Sequence, residues 1–313
     1  MQHPKDKERS AVIWGLGITI ALLATFAGIA KYYSNPTSLV DTYGNVAEKK
    51  AILSEMRIRL YESVEMEKNA VMALTDEQSR QFADQSRQAS AGVEQQLQKL
   101  RALVDAVPLR DEKNLLVEFD RCWTEFGNLD QDILAVAVQN TNLKAAALSR
   151  EQGGHAMHRF EQALGAIPPL FAGTPEEGRA TSPANRALIA GLKIYALHSP
   201  HIAEANDGKM DQLEAQMHAE EKLAAQSLAE LAGLAELAGS AGGTPRDAVL
   251  QAKTAFADFI QVTAEVVALS RQNSNIRSLE LSLGRKRNLT AQCDETLAAF
   301  QKVVQSRTFK VTR

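Results

Sequence analysis

The sequence has no excess of basic residues. Its 35 Lys and Arg stand against 38 Asp and Glu, a formal charge of -3, and the two signs are interleaved as on solvated helix faces. That distribution gives no footprint for nucleic acid. Aromatic side chains are scarce, at 5% of 313 residues. Ala, Leu, Glu and Gln are abundant instead, which favours helix over sheet in almost every window. A glycine-rich phosphate loop, a nucleophile elbow and a paired zinc-protease motif are all missing. No enzyme activity and no cofactor are therefore expected, and Trp123, Phe126, Phe256 and Phe259 read as core anchors. The expected fold is all-α.

Long apolar runs are missing too, with one exception. From Ala11 to Ala30 the chain carries no charge, and at ~1.5 Å per residue this stretch matches a ~30 Å hydrocarbon core. It reads as an uncleaved transmembrane helix rather than a signal peptide, whose apolar region is only about 7 to 15 residues long. Lys5, Lys7 and Arg9 precede it and only Lys31 lies directly after it. The positive-inside rule then keeps residues 1–10 in the cytoplasm and puts 31–313 outside, in the periplasm or its equivalent. Gly17, Ala21, Ala24 and Gly28 form a small-residue seam along the span, where two such helices would approach closely.

The chain also repeats itself. Gln139, Asn140, Thr141, Asn142, Leu143 and Lys144 return as Gln272, Asn273, Ser274, Asn275, Ile276 and Arg277, at an offset of 133 residues. At that offset Trp123 and Phe126 fall on Phe256 and Phe259. One helical unit has been used twice.

Apolar periodicity predicts six helices after Pro36. The first runs to about Leu74. The second starts at the capping box Thr75 to Gln78 and stops near Pro108. The third runs from about Asp111, without a breaker, to Gly153 and beyond to Leu164. A proline-rich loop follows, and Ser182 before Pro183 looks like the cap of the fourth, which Pro200 should interrupt. The fifth spans about Met210 to Leu237. The sixth begins at Thr244 and Pro245 and runs unbroken to about Ser306. Two long and four short helices in this order suggest two stacked four-helix bundles that share the long pair. The membrane-near bundle would hold about 37–140 and 274–308, the distal one about 140–274.

The stretch FDRCWTEFGNLDQDILAVAVQNTNLKAAALS, Phe119 to Ser149, resembles the helical bimodular sensor domain of bacterial chemoreceptors. More broadly, the chain is similar to the four-helix-bundle ligand-binding region of methyl-accepting chemotaxis proteins. That resemblance implies a ligand-binding sensor that dimerises, here through the membrane helix and the exposed side of the first predicted helix. The family's second membrane helix, relay segment and cytoplasmic hairpin have no counterpart in these residues. The expectation is a membrane-anchored, chemoreceptor-like module that binds a small solute or a partner receptor, with no signalling output of its own. The alternative is a structural helical rod of the cell envelope.

Antiparallel long helices would bring the two repeated polar segments together. The leading reading of Asn140, Asn142, Asn273 and Asn275 is structural, because buried amides need partners and fix register when they find them. The other reading is a pocket for a small organic acid or amino acid, lined by Gln139, Asn140, Asn142, Lys144, Arg271, Gln272, Asn273, Asn275 and Arg277, with the basic residues supplying charge. His155, His198 and His218 fall at similar heights and form a candidate metal set, although solvated or core-edge histidines are the plainer expectation. Cys122 and Cys293 should also lie at one height. A bridge needs Cα atoms within ~7 Å, which diagonal helices would not provide, so two buried free thiols are expected and a Cys122–Cys293 disulfide is the alternative.

Overall fold

The computed structural model describes residues 37–238 and 244–310, with side chains over 44–238 and 245–307. The apolar span 11–30 and the Gly239–Gly243 break lie outside the described residues. Those described are helical, with no strand, and none of their helices is long and apolar enough to cross a membrane.

The expected helices appear in the expected order. The first is α1 (Thr37–Met72) and the second α2 (Asp76–Ala106). Thr75 Oγ1 accepts the Gln78 N–H at 3.2 Å and caps α2 as its sequence suggests. The third predicted helix is divided into α3 (Arg110–Ala137), α4 (Thr141–Leu148), a π-helical turn (Ser149–Gly153) and α5 (Gly154–Gly165). A short 3-10 turn, Pro168–Phe171, opens the proline-rich loop. Then come α6 (Thr181–Ala203) and α7 (Asp207–Leu237). The sixth predicted helix is divided like the third, into α8 (Thr244–Gln272), α9 (Ser274–Leu281), a π turn (Ser282–Lys286) and α10 (Arg287–Lys310).

Four details differ from the sequence reading. Neither long helix is unbroken, because Asn140 (φ 50) and Asn273 (φ 56) take the left-handed conformation that asparagine tolerates better than most residues. Pro200 does not interrupt α6: it gives up one i→i−4 bond, but it lies in the last turn and the helix ends three residues beyond it. Ser182 does not cap α6, and its hydroxyl instead accepts from Arg186 at 2.9 Å. Finally, α7 starts at Asp207 because Asn206 Oδ1 accepts the Lys209 N–H at 3.0 Å.

The described residues divide into two compact units: those up to 59 with 91–121 and those from 293, and 60–90 with 122–292. The first unit takes pieces of four helices, α1, α2, α3 and α10. Leu53, Met56, Leu97, Leu100, Phe119, Leu297 and Phe300 are fully buried in it, each contributing about 1.5–3 kcal/mol. Its buried cation, Lys49, donates to Glu112 at 2.7 Å, and Arg307 reaches the same carboxylate at 3.2 Å.

In the second unit α5, α6, α7 and α8 enclose an apolar core built on Phe160, Ile194, Leu228, Leu231, Phe256 and Phe259. Phe160 and Phe256 lie 5.0 Å apart between ring centres. Gly191 lets α6 approach closely, because an added Cβ would stand 3.0 Å from Phe160. Trp123 and Phe126, stacked at 4.9 Å, are buried core anchors, as are Phe256 and Phe259.

Candidate functional site

The repeated segments meet, and the repeat governs how. The Thr141 N–H donates to Ser274 Oγ at 2.9 Å and the Ser274 N–H to Thr141 Oγ1 at 3.1 Å. The Asn142 N–H donates to Asn275 Oδ1 and the Asn275 N–H to Asn142 Oδ1, both at 3.2 Å. Asn142 Nδ2 donates to Asn273 Oδ1 at 2.7 Å, and Asn275 Nδ2 to Asn140 Oδ1 at 3.0 Å. Every bond has its mirror image at the repeat's offset. A helix start leaves four N–H groups without intrahelical partners. Here the first two of α4 and of α9 are each capped by the other's side chains.

This clasp leaves little for a ligand. Asn142 also donates to Ile202 O, Asn273 to Glu204 O and Asn140 to Asp76. The Asn140 amide and the Lys144 ammonium, 3.1 Å away, hold the Asp76 carboxyl below its usual range. Gln139 is exposed and donates to Ala135 O, while Gln272 and Arg277 are exposed. Arg271 turns to Glu214 and Asp211. The structure therefore brings the asparagines together as mutually satisfied amides.

Just beyond each clasp a π turn faces a buried polar group. At the first, Ser149 Oγ lies 2.9 Å from His198 Nδ1, and His198 Nε2 lies 3.1 Å from Thr263 Oγ1, which itself donates to Phe259 O. The threonine proton is thus committed, so Nε2 donates and Nδ1 accepts from Ser149. Burial, with help from His201, pushes His198 down to about 4 and keeps it neutral. The repeat offset carries Ser149, Thr263 and Phe259 onto Ser282, Asp130 and Phe126. There Lys286 Nζ donates to Asp130 at 2.6 Å, lies 3.3 Å from the centre of the Phe126 ring and is fully buried. Glu67 lies beside Ser282 and the Lys286–Asp130 pair. Its carboxylate is wholly buried, and neither its oxygens nor Ser282 Oγ has a hydrogen-bond partner.

Burial pushes Glu67 above the ordinary carboxylate value of 4.5, with Asp130 adding to the effect and the cations Lys286 and Lys68 opposing it. The folded protein thus holds this proton more tightly than the unfolded chain does. Its contribution to stability is complete below 4.5 and is lost as pH rises through the raised folded value. Glu67→Gln, a neutral isostere, is expected to remove up to ~1.4 kcal/mol per pH unit of that dependence and to stabilise the protein at pH 7 but not at pH 4. Denaturant unfolding at stepped pH checks this, and parallel pH profiles for the two proteins would contradict it.

A cavity of about 270 Å³ opens between α6, α7 and α8. Ile194, Met217, Ile260, Val267 and the small Ala264 and Ala268 wall it, and Glu214, His218, Glu221 and Thr263 are its polar members. Glu214 Oε1 accepts from His201 at 2.9 Å and from Arg271 at 2.5 Å. Partial burial pushes Glu214 up, but Arg271 and His201 outweigh it and hold the carboxyl below its usual range. Glu221 Oε2 is 3.1 Å from His218 Nδ1. None of the nine expected ligand residues lines this space except through Arg271's grip on Glu214. The sequence gives its wall no special mark, since aliphatic residues at helical spacing read as core.

The histidines proposed for metal do not converge. His198 is buried in its own hydrogen bonds, His155 is exposed, and His218 is exposed beside Glu221. No group of three or more His, Cys, Asp or Glu among the described residues is arranged to hold a metal. Cys122 and Cys293 are buried, and both are disulfide-bonded, so the expectation of free thiols does not hold.

Residues 8–168 match the model of a family described as a four helix bundle sensory module for signal transduction. No curated protein and no solved structure matches the chain.

Proposed function

The chain belongs to the family of four-helix-bundle sensory modules for signal transduction, and from that premise we propose that it senses a small solute in the cavity between α6, α7 and α8. The observation that carries this reading is the cavity itself: apolar walls with a few convergent polar groups. Its volume of about 270 Å³ is just below the ~300–1,000 Å³ of typical ligand pockets, which suits only a small molecule. The same reading includes an anchor at 11–30, an extracytoplasmic position for two four-helix modules, and a homodimer formed through the anchor and the exposed side of α1, where Ile58 is 61% exposed.

Thermal unfolding of the full chain in lipid nanodiscs, against organic acids, amino acids, amines and divalent metals, tests it. A ligand confined to the folded state adds RT ln(1 + [L]/Kd), about 2.7 kcal/mol at a hundred times Kd. We expect a saturable rise for one chemical class that disappears in Ala264→Phe, which fills the cavity. A flat response to every class would leave the envelope rod as the better reading.

A further inference from the structure

Resting on that sensory reading, we infer that the α6–α7–α8 cavity takes a small primary amine with an apolar body. The cavity's lining holds two carboxylates and no Lys or Arg. Glu214 commits only Oε1 to His201 and Arg271, and Glu221 commits only Oε2 to His218. One oxygen of each carboxylate is left without a bond. Of the other two polar members, His218 is engaged with Glu221 through Nδ1, and Thr263 Oγ1 has given its proton to Phe259 O, already accepts from His198 and can only accept further.

Acceptors therefore converge on a space with aliphatic walls, and what complements them is a donor. An alkylammonium has three N–H donors and a pKa of about 10.4 by analogy with lysine, so it is charged at neutral pH. Its hydrocarbon body fits against Ile194, Met217, Ile260 and Val267. The local charge balance agrees: among the described residues Arg271 is the only Lys or Arg that bonds a lining carboxylate, it shares itself between Glu214 and Asp211, and Glu221 has only the His218 imidazole beside it. A carboxylate ligand would meet acceptors and negative charge. The cavity thus selects against the organic acids that the basic residues of the clasp suggest from sequence.

Isothermal titration of the full chain, in nanodiscs of zwitterionic lipid, with n-hexylamine, 2-phenylethylamine, hexan-1-ol and hexanoate decides this. The amines are expected to bind saturably and at least tenfold more tightly than hexanoate. Glu221→Gln should weaken amine binding about tenfold without moving the melting temperature of the unliganded protein, because Glu221 is on the rim. Ala264→Phe should abolish it. The interaction should also weaken with added salt, as charge pairing at a rim does. Hexanoate or hexan-1-ol binding as well as the amines, and still blocked by Ala264→Phe, overturns the amine assignment while leaving the sensory cavity in place. No binding by any of the four, or amine binding indifferent to Ala264→Phe, overturns both.

Discussion

Lys286→Met is expected to cost about 3–5 kcal/mol of stability at neutral pH, the usual penalty for stranding a buried charge. Among the described residues the ammonium is the only cation bonded to Asp130, and it is also the cation that offsets Glu67 most strongly. Removing it leaves two carboxyls in a site closed to water. Burial already lowers the lysine below its ordinary value, and Asp130 holds it back. The pair therefore exists at the expense of desolvation, and its loss is felt mainly by the partner left behind. Two further measurements follow. Much of the loss should be recovered in acid, where Glu67, raised by burial, is protonated. The double variant Lys286→Met with Asp130→Asn should also recover most of it, since replacing both members of a buried pair is often nearly neutral. Urea midpoints for the two variants at pH 4.5 and 7.5 decide the matter, and a single variant as stable as the parent at pH 7.5 would refute the assignment.

Asn142→Ala is expected to cost a comparable ~3–5 kcal/mol. One side chain there satisfies the Asn275 N–H, Asn273 Oδ1 and Ile202 O. Each orphaned group costs about 1–3 kcal/mol, and neighbouring losses do not add in full. Thr141→Ser keeps the hydroxyl that caps Ser274 and is the control, expected within about 1 kcal/mol of the parent. Near-parent stability in Asn142→Ala would mean that water replaces the clasp without loss. Amide hydrogen exchange at Asn142 and Asn275 reads the same junction directly: their protection should collapse together in the variant.

Much of the helical order was legible in the sequence, because Thr75, Thr244 with Pro245, and the apolar stripes mark starts and stops by local chemistry. The left-handed turns at Asn140 and Asn273 were not, since no Gly or Pro marks them and the weak helix formers of Gln-Asn-Thr-Asn and Gln-Asn-Ser-Asn sit inside long stretches of unbroken apolar periodicity. Only the partner segment, far away in sequence, makes breaking the helix worthwhile. The repeat did reveal that these amides meet, and the structural reading of them is the one the geometry favours. The cavity could not be read, because Ile194, Met217, Ile260 and Val267 differ in nothing from core residues until a gap is seen beside them. Glu67, Asp130 and Lys286 were missed for the opposite reason. Charges at helical spacing read as solvated faces, and only the packing shows that these face inward.

The mutual capping of α4 and α9 also bears on how the chain is made. The amides that open α4 take their acceptors from residues 133 positions further along. At the ~5–20 residues per second of protein synthesis that interval lasts roughly 7 to 27 s. During it the start of α4 has no proper partners and must stay hydrated or be shielded by a chaperone. The junction is completed late, when the second copy of the motif emerges, so a nascent chain truncated before Ser274 should lack the clasp altogether.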